Sequence, residues 1–401
     1  MRAPASPASP ASPALPAEVW RLGWISFFTD LASEMIYPLL PGFIMRLRGG
    51  TPFIVGLIEG IAEAVNSIFK VWSGRLSDRM RARKPLMAFG YTVSSLARPV
   101  IAIAAAWWHV LGLRFVDRFG KGVRGAPRDA MLASYAPEGR KGAVFGFHRA
   151  MDHAGAIAGP LVATAYLAVR PGDYRGLFAL TIVPGLIVIA LVWTTKEPDS
   201  RVAAASPPSP ASPALPALSS LPTATRRFLL VLVLFSLGNS TDAFLLIKLE
   251  AAGVPIAWLP MTWAALHVVK SASSALGGMW SDRVGYRSLI VTGWIYYAVI
   301  YASLAFAESA AVVVLLFLAY GVFFGLTEGP EKALMAELSP RASHGTAFGF
   351  YNAALGLGVL AASVLFGAIW VTVSPAAAFL TGAAIAIAAA SLLPWATRGY
   401  D

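Results

Sequence analysis

Hydrophobic residues run along this chain in blocks of about twenty, and proline, glycine or charge separates one block from the next. Residues 177–195, 289–307, 310–326 and 377–397 are near-continuous apolar runs, each long enough as a helix to cross a hydrocarbon core of about 30 Å. The breaks in hydropathy predict helices over 19–46, 52–76, 85–106, 108–134, 142–169 and 175–195, and again over 227–250, 256–280, 287–307, 310–337, 345–370 and 376–397. These twelve segments, numbered 1 to 12 in order, predict an all-α membrane protein built of two six-helix bundles. Residues 1–18 and 196–226 are rich in Pro, Ala and Ser and carry too little bulky apolar surface to fold. The expected organisation is therefore a disordered N-terminus (1–18), a first bundle (19–195), a linker (196–226) and a second bundle (227–397).

Composition supports the membrane reading. Hydrophobic residues make up 57% of the 401 and charged residues 13%, where a soluble domain has about 25% charged. The net charge of +11 does not imply nucleic acid, because binding it needs a solvated basic face that this chain cannot supply. The Lys and Arg residues cluster at one set of segment ends, in 75–84, 127–141, 196–227 and 282–287, which the positive-inside rule places in the cytoplasm. A multi-pass inner-membrane protein with both termini cytoplasmic is expected. The N-terminus has no apolar core of its own, so a cleaved signal peptide is not expected. The chain has no cysteine, so disulfides and thiolate metal sites are excluded.

The halves repeat. PRDAMLASYAPEGRKGAVFGFHRA (127–150) matches PEKALMAELSPRASHGTAFGFYNA (330–353), GRLSDR (74–79) matches GGMWSDR (277–283), and FTD (28–30) resembles STD (240–242). Two parallel copies related by an axis along the membrane normal imply a cleft between them near the midplane.

GRLSDRMRARK (74–84) and GMWSDRVGYR (278–287) resemble the loop signature of the major facilitator transporters. VDRFGKGVRGA (116–126) partly resembles that family's pattern in helix 4, with Lys121 and Arg124 as departures. Gly146, Gly155, Gly159 and Pro160 reproduce the spacing of the helix 5 signature typical of proton-coupled exporters, so the drug:proton antiporter-like branch is the nearest likeness. SFFTDLASEMIYPLLPGF (26–43) and LGNSTDAFLL (237–246) look like a prokaryotic subgroup with mostly unassigned substrates. The resemblance implies segments 1, 4, 7 and 10 around a central cavity, and Asp78 beside segment 11 as part of a cytoplasmic gate.

An ionisable group inside a spanning helix is costly unless paired or wet, so each is a candidate. Asp30 and Glu34 share one face of segment 1 near mid-depth, where Asp117 and Arg118 of segment 4 also fall. An Asp30–Arg118 contact released by protonation is the expected proton switch; a permanent ion pair is the alternative. Glu59, Glu63, Asn66 and Lys70 form one stripe of segment 2, and His267, Lys270 and Ser274 one of segment 8, so opposite charge between these segments is expected either to gate the halves or to bind them statically. Arg149, Asp152 and His153 in segment 5, Asn239 and Asp242 in segment 7 and Glu328 in segment 10 are candidate substrate contacts, Asp242 and Glu328 for a cationic or hydrogen-bonding substrate. Glu331 and Lys332 are placed either in the cavity or solvated near the cytoplasmic end. Asp78, Arg79, Arg124, Arg128, Asp282, Glu59, Glu63 and Lys270 are candidate gating residues, together with Gly155, Gly159 and Pro160, whose small stripe predicts close packing on segment 8. Arg149 would repel a cation from the neighbouring His148, Asp152 and His153, so no metal site or other cofactor is expected.

These readings predict a monomeric secondary transporter that exports a small molecule in exchange for protons. Its partners would be substrate, protons and the lipid bilayer, with no nucleic acid. No phosphate-binding loop is present, and no nucleophile, base and electrophile fall together, so neither ATP drive nor an enzyme is expected. The alternatives are export of a metal ion or metal chelate, proton symport, and a non-transporting receptor or scaffold.

Overall fold

The computed structural model describes residues 15–80, 82–136, 141–197, 218–339 and 344–398. Before the linker lie α1 (Ala17–Ile36), α2 (Leu40–Arg46), α3 (Pro52–Arg79), α4 (Lys84–Val100), α5 (Trp107–Tyr135), α6 (Lys141–Val169), α7 (Tyr174–Leu180) and α8 (Ile182–Thr194). After it come α9 (Thr223–Gly238), α10 (Ala243–Ala251), α11 (Leu259–Val284), α12 (Tyr286–Phe306), α13 (Ala310–Leu338), α14 (His344–Thr372) and α15 (Pro375–Ala396). Helix starts follow local chemistry. Thr51 and Ser374 each precede a proline at the first helical position and accept the amide three residues on, from Ile54 at 3.2 Å and Ala377 at 3.0 Å, which satisfies an otherwise orphaned donor.

Three predicted segments are interrupted. Segment 1 breaks at a short 3-10 turn, Tyr37–Leu39, because Pro38 and Pro41 lack the amide and crowd the preceding turn. Segment 6 breaks at Thr181, just before Pro184, which cannot donate to the Leu180 carbonyl. Segment 7 breaks between Gly238 and Ala243. The backbone groups freed there find side chains: the Tyr297 hydroxyl donates to the Gly238 carbonyl at 2.8 Å, and the Thr241 amide donates to Ser363 Oγ at 3.1 Å. Non-helical backbone inside a membrane persists only when it is satisfied in this way.

Among the described residues, eight helical stretches, starting at Pro52, Lys84, Tyr174, Thr223, Tyr286, Ala310, Ala347 and Pro375, have the length and hydropathy of membrane spans. The long helices α1, α5, α6 and α11 fall outside those eight, and all four carry ionisable residues. The chain is an all-α, multi-pass membrane protein.

Helix α1 packs on α6, α3 on α5 and α14, α11 on α13 and α6, and α12 on α15 and α13. The α3–α14 and α6–α11 contacts therefore join helices from either side of the linker. The glycine stripe of α6 does not face α11, as expected, but α1: a Cβ on Gly155 or Gly159 would overlap the backbone carbonyls of Phe27 and Leu31. Small residues let these two backbones touch, and Ser26 of α1 hydrogen-bonds Asp152 on the same side of α6. Pro160 lies beside that stripe, inside α6. One buried apolar cluster runs through both halves and includes Phe43, Phe178, Phe244 and Trp294; a second, around Val19, Met87, Tyr91 and Met131, belongs to the first half. Tyr297 and Tyr301 are fully buried and stacked at 4.1 Å, so they serve packing.

Candidate functional site

The breaks in segments 1 and 7 place polar residues at the mouth of one cavity. Its volume is about 380 Å³. Glu34 and Tyr37 come from the end of α1 and its turn, Glu59 and Glu63 from α3, Arg118 and Lys121 from α5, and Thr241 and Asp242 from the break before α10. Helix α11 adds Trp263, His267 and Lys270. Both halves thus supply charge to one space, within the size range of small-molecule sites.

Much of that charge is paired. Asp242 accepts from Lys270 Nζ at 3.1 Å and from the Tyr320 hydroxyl at 2.7 Å. Glu59 is held by both forks of Arg114, at 2.9 and 2.5 Å. Arg114 also lies 3.6 Å from Asp117, which accepts from Arg98 Nε at 2.9 Å, and Arg98 reaches on to the Thr29 carbonyl at 3.0 Å. The four side chains are 1–7% exposed. The result is a buried ladder of alternating sign from α1 through α4 and α5 to α3, with Glu59 at its cavity end. Bidentate guanidinium–carboxylate geometry of this kind compensates the cost of burying each ion.

The ladder takes the place of the expected Asp30–Arg118 contact. No Asp30–Arg118 ion pair forms among the described residues; Asp117 is held by Arg98, and Arg118 turns into the cavity instead. Asp30 is half-buried, and its carboxylate forms no ion pair among the described residues. Charge pairing between segments 2 and 8 is not formed among the described residues either. His267 lies 3.8 Å from Glu34, and Lys270 takes Asp242, because α3 packs on α14 and α11 packs on α6, leaving the cavity between the two stripes. Glu34 accepts from Trp263 Nε1 at 2.8 Å, and Glu63 from the Asn66 side chain at 3.1 Å.

Several expected substrate contacts lie off the cavity wall. Asp152 is bonded to Ser26 and lies 3.5 Å from His148, while Arg149 and His153 are exposed. Glu328 is 54% exposed and pairs with Lys332 at 2.9 Å. Asn239 sits in the break of segment 7. Glu331 is neither solvated nor in the cavity: it is 5% exposed and accepts from Trp294 Nε1 at 3.0 Å and the Tyr351 hydroxyl at 3.2 Å. It faces inward between α12 and α14, within the same turn whose outer face carries the Glu328–Lys332 pair.

Of the gating candidates, Arg124 is buried with its guanidinium 4.4 Å over the Tyr91 ring, and Arg128 pairs with the adjacent Asp129 at 2.8 Å. The side chains of Asp78, Arg79 and Asp282 lie outside those described. Beyond the cavity, Arg46 of α2 and Glu250 of α10 pair at 2.5 Å. A Cβ on Gly42 would meet the Glu250 carboxylate at 2.6 Å, so the glycine admits this contact. The Tyr37 hydroxyl lies 3.3 Å from Thr241 Oγ1, and its ring packs on Trp263 at 4.9 Å. Together these contacts tie the two halves at that end. Among the described residues, no group of three or more His, Cys, Asp or Glu is arranged to hold a metal.

Arg98, Arg114, Trp263, Tyr320 and Glu331 carry much of this geometry. The rule that flagged Asp117 also applied to Arg98 in segment 3 and Arg114 in segment 4, and would have found both. Trp263 and Tyr320 gave no such signal, since an aromatic residue in a span is ordinarily packing.

Spanning helices around a charged cavity that both halves line define a class, the membrane transporters. Comparison with known proteins gives the family. Residues 22–269 and 256–400 match the Major Facilitator Superfamily. An uncharacterized MFS-type transporter of Methanocaldococcus jannaschii is 30% identical over 385 residues, covering 94% of each chain. A multi-drug resistance efflux pump PmrA homolog of Lactococcus lactis is 23% identical, over 86% of each. Among solved structures, the nucleoside transporter NupG superposes with a TM-score of 0.79 at 12% identity, over 96% of this chain and 100% of that one. A D-xylose-proton symporter gives 0.72 at 17% identity, over 94% and 95%. The chain belongs to the Major Facilitator Superfamily and is a transporter of small molecules.

Proposed function

We propose that this protein is a twelve-span secondary transporter whose two six-helix bundles, 19–195 and 227–397, alternate access to the central cavity and export a small molecule against an inward flow of protons. The observation that carries this reading is the cavity of about 380 Å³ walled with charge from both halves, since a passive scaffold has no use for polar walls inside a bilayer. The Arg46–Glu250 pair and the Tyr37–Thr241 contact close one end in this state. The concentration of Lys and Arg at the other end makes the closed end the extracytoplasmic one. Efflux is supported by the PmrA homolog and by the Gly146–Pro160 spacing in α6.

Asp30 is the proposed proton carrier. Its carboxylate lacks the ion pair that fixes Asp117, so protonating it breaks no salt bridge among the described residues. The test is flux in proteoliposomes under an imposed pH gradient, over a panel of organic cations, zwitterions, sugars and metal chelates. Gradient-driven movement of a compound, abolished by Asp30→Asn while exchange of that compound persists, is the expected result. Driven transport unchanged in Asp30→Asn removes Asp30 from the mechanism, and proton movement independent of every compound overturns coupling.

A further inference from the structure

The cavity's charges sort into two groups. Glu59 and Asp242 are neutralised by Arg114 and Lys270. Four remain outside any close ion pair among the described residues: Arg118 and Lys121, one turn apart on α5, and Glu34 and Glu63, on α1 and α3. Arg118 Nε is buried with no acceptor, and neither Arg118 nor Lys121 has a carboxylate of a described residue within ion-pairing distance. Glu34 and Glu63 are held by neutral donors, the Trp263 indole and the Asn66 amide, with His267 3.8 Å from Glu34. A buried guanidinium N–H without an acceptor costs free energy that an incoming anionic oxygen would recover. The carboxylates have lone pairs to spare and favour an incoming cation. The wall therefore offers two unmatched positive groups from one helix and two unmatched negative groups from two others, with the Tyr37 and Trp263 rings between the halves.

From this imbalance we infer that the cavity binds a small zwitterion, with its acidic group at Arg118 and Lys121 and its amine at Glu63 and Glu34. The inference rests on the transporter reading and deepens it. It differs from the cationic or hydrogen-bonding substrate contact expected of Asp242 and Glu328 in sequence, since one is neutralised by Lys270 and the other pairs with Lys332 off the cavity wall. An amine alone would leave Arg118 without an acceptor, and an acid alone would leave the carboxylates facing it. A ligand carrying both charges satisfies both sides, and about 380 Å³ suits a compound of amino-acid size.

The test is binding to the purified full-length chain in detergent, read by calorimetry and thermal shift, with two matched trios as probes. These are 5-aminopentanoate, pentanoate and pentylamine, and phenylalanine, 3-phenylpropanoate and phenethylamine. At least one zwitterion should bind about tenfold or more tightly than both of its singly charged counterparts, as loss of one charge-assisted hydrogen bond implies. Arg118→Gln with Lys121→Gln should erase the preference over the amine, and Glu63→Gln should weaken the preference over the acid. Arg118→Lys, which keeps the charge, should retain part of the first preference and serves as the control for folding. Amines or acids binding as tightly as the zwitterions, or no probe binding at all, overturns the inference. Proton-driven flux of organic cations alone would overturn it too, while leaving the transporter reading intact.

Discussion

At the scale of the residue, the first half is held by buried charges that pair with one another. Removing one member of a buried ion pair leaves the other uncompensated, at a cost of about 3–5 kcal/mol. Arg98→Leu should therefore destabilise the protein by that order, read as a lower thermal midpoint and loss of monodisperse protein in detergent. A midpoint unchanged from the parent would show that Arg114 alone satisfies Asp117. Glu331 makes a different case, a buried carboxyl held by the Trp294 and Tyr351 donors with no ion pair among the described residues. Glu331→Ala orphans both donors and should cost about 1–3 kcal/mol, whereas Glu331→Gln keeps an acceptor and should cost less. Equal losses in the two variants would contradict the cage. Depth along a helix is readable from sequence, which is how Asp117 and Arg118 stand out. Which way each side chain points is not readable, because α5 has charge on more than one face, and one step of rotation separates a residue in the ladder from one in the cavity.

At the scale of the element, the hydropathy breaks locate the helical segments to within a few residues. Segments 1 and 7 are broken where proline, or glycine with asparagine, interrupts them, and those breaks expose Tyr37, Thr241 and Asp242 to the cavity. Which helix a small-residue stripe meets depends on the arrangement of all the helices, so the Gly155–Gly159 stripe signals close packing but not its partner, α1. Gly159→Leu should push α6 away from the Leu31 carbonyl and cost about 1–3 kcal/mol or more, read by thermal unfolding; the same change at Gly146, where a Cβ meets nothing within 4 Å, should be mild. Between α2 and α10 the exposed Arg46–Glu250 pair contributes only about 0–1 kcal/mol, enough to bias a conformational equilibrium but not to fix it. Because the chain has no cysteine, Arg46→Cys with Glu250→Cys gives a clean reporter. A short bifunctional thiol reagent should crosslink this pair and arrest transport, and crosslinking without any effect on flux would show that this end does not open.

At the scale of the whole molecule, the hydropathy blocks make the all-α, multi-pass fold readable, while the cavity's chemistry depends on side-chain directions. The second copy keeps the proline of the first, as Pro330, but has Glu331 and Lys332 where the first has Arg128 and Asp129, so the copies share a scaffold and differ in charge. The ion ladder lies in the first half, and the buried aromatic residues Trp294, Tyr297 and Tyr320 lie in the second. The central claim is that the cavity is reached from one side of the membrane at a time and from both in turn. Thr241→Cys, on the cavity wall, places a single thiol there, and a membrane-impermeant thiol reagent can be added to right-side-out and to inverted vesicles. Alternating access predicts labelling from both sides, with the ratio of the two rates shifting when a pH gradient is imposed; labelling from one side only, with and without the gradient, would contradict it.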